Sequence, residues 1–223
     1  MKKILSVFIL TFIIALSVNA KEQKIYYRDK VKCNDERTFC KDEKGNPITG
    51  IVESIKNGKR IIAIEYRNGF KEGKRIVYSS DGIHPVLEFS TNRNGDLDGK
   101  SKSYWGDTHT IRSKATWKKG EQKGKSIMYY KSGKKQWTSQ IIEPIESVDV
   151  TPMKFEFFDR NEQLFATFDI NGITCYDKDK KARNATTAEK ILKINAIWEE
   201  MENALTNPEL NPNKEPDFTF LCE

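Results

Sequence analysis

The sequence predicts a mainly β protein: repeated β-hairpins form an elongated antiparallel sheet, with one C-terminal α-helix. Three observations lead there. Turn dipeptides punctuate residues 45–140 at short, regular intervals, and between them lie alternating runs rich in Ile, Val, Tyr, Phe and Thr. A Gly-x-x-x-Gly-Lys signature also returns three times, as Gly69/Gly73/Lys74, Gly95/Gly99/Lys100 and Gly120/Gly124/Lys125. A signature at near-constant spacing is the mark of a structural repeat.

The chain opens on MKKILSVFILTFIIALSVNA, with Lys2 and Lys3 before an apolar run from Ile4 to Val18. This is the order of a secretory signal peptide, expected to span residues 1–20 with Val18-Asn19-Ala20 at the cut. The apolar run is short for a membrane span of about 20 residues. A protein exported into the periplasm, the outer envelope or the medium is therefore expected. Removal of Lys2 and Lys3 lowers the formal charge from +6 to +4. Acidic and basic residues are interspersed rather than clustered, which argues against a nucleic-acid partner.

Residues 21–44 form an N-terminal segment that carries Cys33 and Cys40; Cys175 and Cys222 lie near the other end. Four cysteines in an exported chain read as two disulfides, and three pairings are open. The economical choice joins Cys33 to Cys40 and Cys175 to Cys222. A zinc site lacks Cys-x-x-Cys spacing and has only His84 and His109 to complete it.

Residues 45–140 hold the repeats. The turn signals are Asn57-Gly58, Asn68-Gly69, Asp81-Gly82, Asn94-Gly95, Gly106-Asp107, Lys119-Gly120 and Ser132-Gly133. Asn-Gly and Asp-Gly supply the positive φ of two-residue hairpin turns. The run KRIIAIEY sets Ile62, Ile64 and Tyr66 on one face against Ile61, Ala63 and Glu65. In TIRSKATWKK, Ile111, Ser113, Ala115 and Trp117 oppose Arg112, Lys114, Thr116 and Lys118. Such period-two alternation marks half-buried strands. Aligned on the second glycine, the units begin at Gly50, Gly73, Gly99 and Gly124, spaced 23, 26 and 25 residues apart. That glycine suggests a close backbone approach between neighbouring hairpins. The lysine after it is a solvent-facing residue that discourages edge pairing.

These residues resemble a known family. The segment KGNPITGIVESIKNGKRIIAIEYRNGFKEGKRIVYSSDG is similar to the bacterial MORN-repeat variant found in YwqK-family antitoxin-like proteins. Its pattern of glycine, strand, aromatic and turn glycine is met by Gly73-Tyr78-Gly82, Gly99-Tyr104-Gly106 and Gly124-Tyr129-Gly133, while the first unit has Ile55 in the aromatic place. The resemblance implies a stacked-hairpin fold. Functionally it implies membrane association, scaffolding or toxin immunity, without choosing among them.

Residues 141–176 read as a degenerate terminal hairpin. Phe155 and Phe157, then Leu164, Ala166, Phe168 and Ile170, alternate before the Asn171-Gly172 turn. Residues 177–223 supply the helix and a proline-rich tail. Thr186 and Glu189 suit a capping box, and Ile191, Ile194, Trp198, Met201 and Leu205 form one apolar stripe. An open array of repeats needs its terminal face covered, which favours this helix as a cap; a docking helix for a partner is the alternative.

Catalytic chemistry is not legible. His84 and His109 have no recognisable nucleophile setting, no phosphate loop occurs, and GDLDG lacks the further ligands of a calcium loop. The sequence therefore predicts no enzyme, no cofactor and no metal. Adjacent aromatics stand out instead. Alternation sends one member of Tyr104-Trp105 and one of Tyr129-Tyr130 to each face, so an exposed face would carry aromatics among lysines. Such a face suits a protein partner or a membrane surface. The leading expectation is a non-enzymatic protein-binding module of the cell envelope, antitoxin-like in its specific version. Membrane-surface association and self-association through an open sheet edge are the alternatives.

Overall fold

The computed structural model describes residues 23–35, 38–141, 153–206 and 213–223. The expected signal peptide and the proline-containing connection at 142–152 lie outside the described residues.

Turn chemistry sets the strand order. Asn57-Gly58, Asn68-Gly69 and Lys119-Gly120 place both residues at positive φ, as two-residue hairpin turns require. They join β4 (Gly50–Lys56) to β5 (Lys59–Arg67), β5 to β6 (Phe70–Tyr78), and β9 (Ile111–Lys118) to β10 (Glu121–Gln122).

The remaining dipeptides behave differently from the sequence expectation. At Asp81-Gly82, Asn94-Gly95 and Ser132-Gly133 only the glycine has positive φ. The loops are longer there, and a side chain helps to close several of them. Asn92 shows the arrangement: Gly95 N–H donates to Asn92 O, while Asn92 Oδ1 accepts the N–H groups of Asn94 and Asp96. Asp42, Asp159 and Asp177 close equivalent loops. Asn and Asp do this because their short side chains reach the backbone two residues on.

The result is one long, dominantly antiparallel sheet of 14 strands. From β6 it runs through β7 (Pro85–Thr91), β8 (Gly99–Tyr104) and β9 to β11 (Lys125–Tyr129) and β12 (Lys135–Ile141). It then continues through β13 (Met153–Phe158), β14 (Leu164–Asp169) and β15 (Gly172–Tyr176). A further edge strand, β16 (Ala182–Asn184), extends the sheet past the expected end at Cys175. At the other edge, β1 (Ile25–Tyr27) pairs parallel to β4, a pairing that hairpin logic does not anticipate. A small separate ribbon joins β2 (Lys32–Cys33) to β3 (Cys40–Lys41).

The close backbone approach expected at the second glycine of the signature is found at Gly50 but not at the other three positions. Gly50, Gly73, Gly99 and Gly124 all have positive φ. Their surroundings differ: a Cβ would meet Lys24 O at 2.2 Å from Gly50 but nothing within 4 Å from Gly124. Backbone conformation, not crowding, is what the four positions share. At Gly73 the β5–β6 register shifts, and Lys74 N–H turns to donate to the Glu65 carboxylate at 2.9 Å.

Both predicted disulfides are present, Cys33–Cys40 and Cys175–Cys222. Each belongs to a separate core. Val31, Cys40, Ile48, Val52 and Tyr66 pack at the N-terminal end. At the C-terminal end Phe157, Ala166, Ile173 and Cys175 pack against Ile194 and the tail residues Phe218, Phe220 and Leu221. Ile194 comes from helix α1 (Ala188–Thr206), which packs Ile194, Ile197 and Trp198 against this core; Trp198 stacks on Phe155 at 5.0 Å. The side chains of Met201 and Leu205 lie outside the described residues. The helix cap is Thr187, whose hydroxyl accepts Lys190 N–H at 3.2 Å. Thr186, expected in that place, instead accepts Ile173 N–H at 2.8 Å and ties the helix start to β15.

Two disulfides fit an oxidising, exported environment. Among the described residues no helix is long and apolar enough to cross a membrane.

Candidate interaction surface

Cross-strand register carries Glu88 of β7, Lys102 of β8, Lys114 of β9 and Ile127 of β11 along one row, and so along one face of the sheet. Lys100, Lys102, Lys114 and Lys125 surround a shallow depression of about 400 Å³ whose floor includes Ile111 and Ile127. Lys125 pairs with Glu156 at 3.0 Å, and the Lys114 ammonium lies 5.1 Å from the Tyr129 ring centroid. Lys100 and Lys102 make no ion pair among the described residues.

Glu88 closes one side of this face. It accepts a bond from the Lys74 ammonium at 2.7 Å and another from the Tyr104 hydroxyl at 2.9 Å. Burial opposes its ionisation, but the Lys74 and Tyr104 hydrogen bonds prevail and hold its pKa below the ordinary value. Burial, together with the neighbouring carboxylate, pushes Tyr104 up to about 12. Tyr104 is thus a neutral, fixed donor at physiological pH.

The four aromatics singled out from sequence are brought close at the ends of β8 and β11, but in unequal roles. Trp105 is wholly buried and donates Nε1–H to Tyr129 O at 3.2 Å, so it offers no contact surface. Tyr104 and Tyr129 are half-buried beside the lysines. Tyr130 turns to the C-terminal end, where its hydroxyl donates to Phe158 O and Arg160 lies over its ring. Arg112, which simple alternation places on one face with Lys114, Thr116 and Lys118, is only 5% exposed. Register shifts between Ser103 and Tyr104, leaving Arg112 unpaired in the ladder, and its guanidinium sits 4.9 Å from the Trp105 ring centroid. A bulge inverts the alternation that sequence reading relies on.

A second cluster was not anticipated. The turn from β6 to β7 and that from β8 to β9 lie side by side at one end of the sheet. They stack His84 on His109, with ring centroids 3.8 Å apart and planes 9° from parallel. His84 Nδ1 lies 2.6 Å from Asp81 Oδ2. The other oxygen, Oδ1, accepts from Ser79 Oγ and from the backbone N–H of Ile83 and His84. The His84 bond, then that from Ser79, holds the Asp81 carboxyl well below the usual carboxylate range. The signal for this cluster was present: the two histidines are 25 residues apart, which is one repeat.

No protein-family model matches the chain, and no curated protein sequence matches it.

Proposed function

We propose that the protein is a non-enzymatic binding module of the cell envelope, and that its basic sheet face receives an acidic protein partner. The supporting observation is the four-lysine depression with its isoleucine floor. Ammonium groups around an apolar patch suit a partner surface of matching acidic rim and apolar centre. Tyr104 and Tyr129 add rigid, half-exposed rings of the kind that interfaces favour. Antitoxin-like neutralisation of an envelope-acting protein is the specific version that the MORN-like resemblance supports.

Crosslinking in the envelope before purification tests the reading. One stoichiometric protein partner is expected, and the Lys102→Glu/Lys114→Glu double variant should lose it while remaining folded. Recovery with bulk anionic lipid, released by high salt, would overturn the reading in favour of membrane-surface association.

A further inference from the structure

We propose that Asp81, His84 and His109 form a binding site for a borderline transition-metal ion of the zinc class. The chain has two histidines in 223 residues. Both occupy the same spot, contributed by neighbouring repeats, with one nitrogen from each ring and one Asp81 carboxylate oxygen within 4.8 Å of one another. Zinc takes imidazole nitrogen and carboxylate oxygen at about 2.0–2.2 Å, so donors around one ion stand about 3–4 Å apart. An imidazole nitrogen binds a metal in the plane of its ring, so to converge on one ion the two rings must turn out of their parallel stack about their side-chain bonds. The donor set also sorts the metals: two imidazoles with one carboxylate suit zinc, copper or nickel, whereas calcium and magnesium require oxygen ligands.

The surrounding backbone is organised to present these donors. Ser79 N–H donates to His84 O and Gly82 N–H to Ser79 O, closing the turn beneath Asp81. At Gly82 a Cβ would stand 2.8 Å from Arg60 N, so the turn sits tightly on the β4–β5 hairpin. His109 has a φ of 56°, a conformation few non-glycine residues adopt. Its N–H donates to the carbonyl of buried Trp105, which fixes the loop from below. Held in this way, the exposed His109 keeps its imidazole over that of His84.

The cluster is also open to an arriving ion. The side chains of His84 and Asp81 remain 44% and 39% exposed. Three protein donors leave a coordination position for water, the pattern of an exchangeable rather than a sealed site. This site lies at the loop end of the sheet, and the inference does not rest on the binding-module reading.

Calorimetric titration of the untagged, disulfide-intact protein with zinc chloride tests the inference. One ion per chain is expected. His84→Ala should abolish binding, as should His109→Asn, chosen because asparagine tolerates the left-handed backbone at that position. Asp81→Asn should weaken binding about 10- to 100-fold, whether Asp81 ligates directly or orients His84. Cobalt(II) in place of zinc should give visible bands that both histidine variants lose. Absence of saturable zinc binding by the unsubstituted protein would overturn the proposal, with no variant needed. Binding unchanged in either histidine variant would overturn it as well.

Discussion

The two ends of the sheet and its middle are stabilised by different chemistry. At each end a disulfide joins an apolar core: Cys40 sits among Ile48, Val52 and Tyr66, and Cys175 among Phe157, Ile173 and Leu221. Neither core includes a described residue between Tyr66 and Trp137. Across the middle strands the described buried apolar side chains thin to Trp105 and Met128, and polar pairs join them. Ser103 and Ser113 hydroxyls meet at 2.6 Å, Trp117 Nε1–H donates to Ser101 Oγ, and Lys74 and Tyr104 converge on Glu88. Apolar burial is the dominant source of stability, so the ends act as clamps and the middle is a thin span held between them. A thin span leaves a sheet face open, and that is where the lysine depression lies.

The sharpest way to break the arrangement is to open the clamps. Cys175 and Cys222 are 47 residues apart, whereas Cys33 and Cys40 are 7 apart. Loop-closure entropy then assigns about 4 kcal/mol to the first bridge and about 2.5 kcal/mol to the second. Chemical denaturation of the Cys175→Ser/Cys222→Ser and Cys33→Ser/Cys40→Ser variants should show that order. The larger loss should come with a change in Trp198 fluorescence, because the C-terminal bridge holds the tail residues Phe218 and Leu221 against the face that α1 covers. Equal losses would mean that the two ends do not differ as clamps in the way their loop lengths dictate.

How far this could be read from sequence depended on which residue carried the signal. Repeated glycines made the hairpins legible, since only a few residue types accept positive φ. The same left-handed position in the loops after Asp159 and Asp177 is filled by Glu162 and Lys180, which announce nothing. Alternation placed the faces correctly until a bulge intervened, and there it misassigned Arg112. The histidine pair is not legible in the local sequence, because His84 and His109 lie one repeat apart and only the side-by-side packing of their turns brings the rings together.

A glycine comparison separates backbone preference from crowding. Gly69, at the N-terminal clamp, has a φ of 87°, and a Cβ there would lie 2.3 Å from the Phe39 ring. Gly124, in the span, has a φ of 69° with nothing within 4 Å. Both Gly69→Ala and Gly124→Ala forfeit about 1 kcal/mol for placing a side chain on a left-handed backbone. Gly69→Ala adds a clash costing about 1–3 kcal/mol more. Thermal melts should therefore rank Gly69→Ala well below Gly124→Ala; similar melting temperatures would show that Phe39 can move aside.

The smallest expected effect tests whether polar pairing in the span contributes at all. Glu88 is 17% exposed and has a depressed pKa, so its ionised form is favoured by folding. The sign follows: its contribution is complete above the ordinary glutamate pKa and is lost as pH falls through the lower, folded value. Glu88→Gln removes the charge while keeping an oxygen for Lys74 and Tyr104. At pH 7 the variant should be less stable by about 1 kcal/mol, within the range of hydrogen bonds to charged groups. Below the folded pKa the native residue is itself neutral, and the two proteins should converge. Urea titrations at pH 7 and in acid measure that convergence. A gap of the same size in acid would assign the loss to packing around residue 88 and leave the clamps to hold the span without electrostatic help.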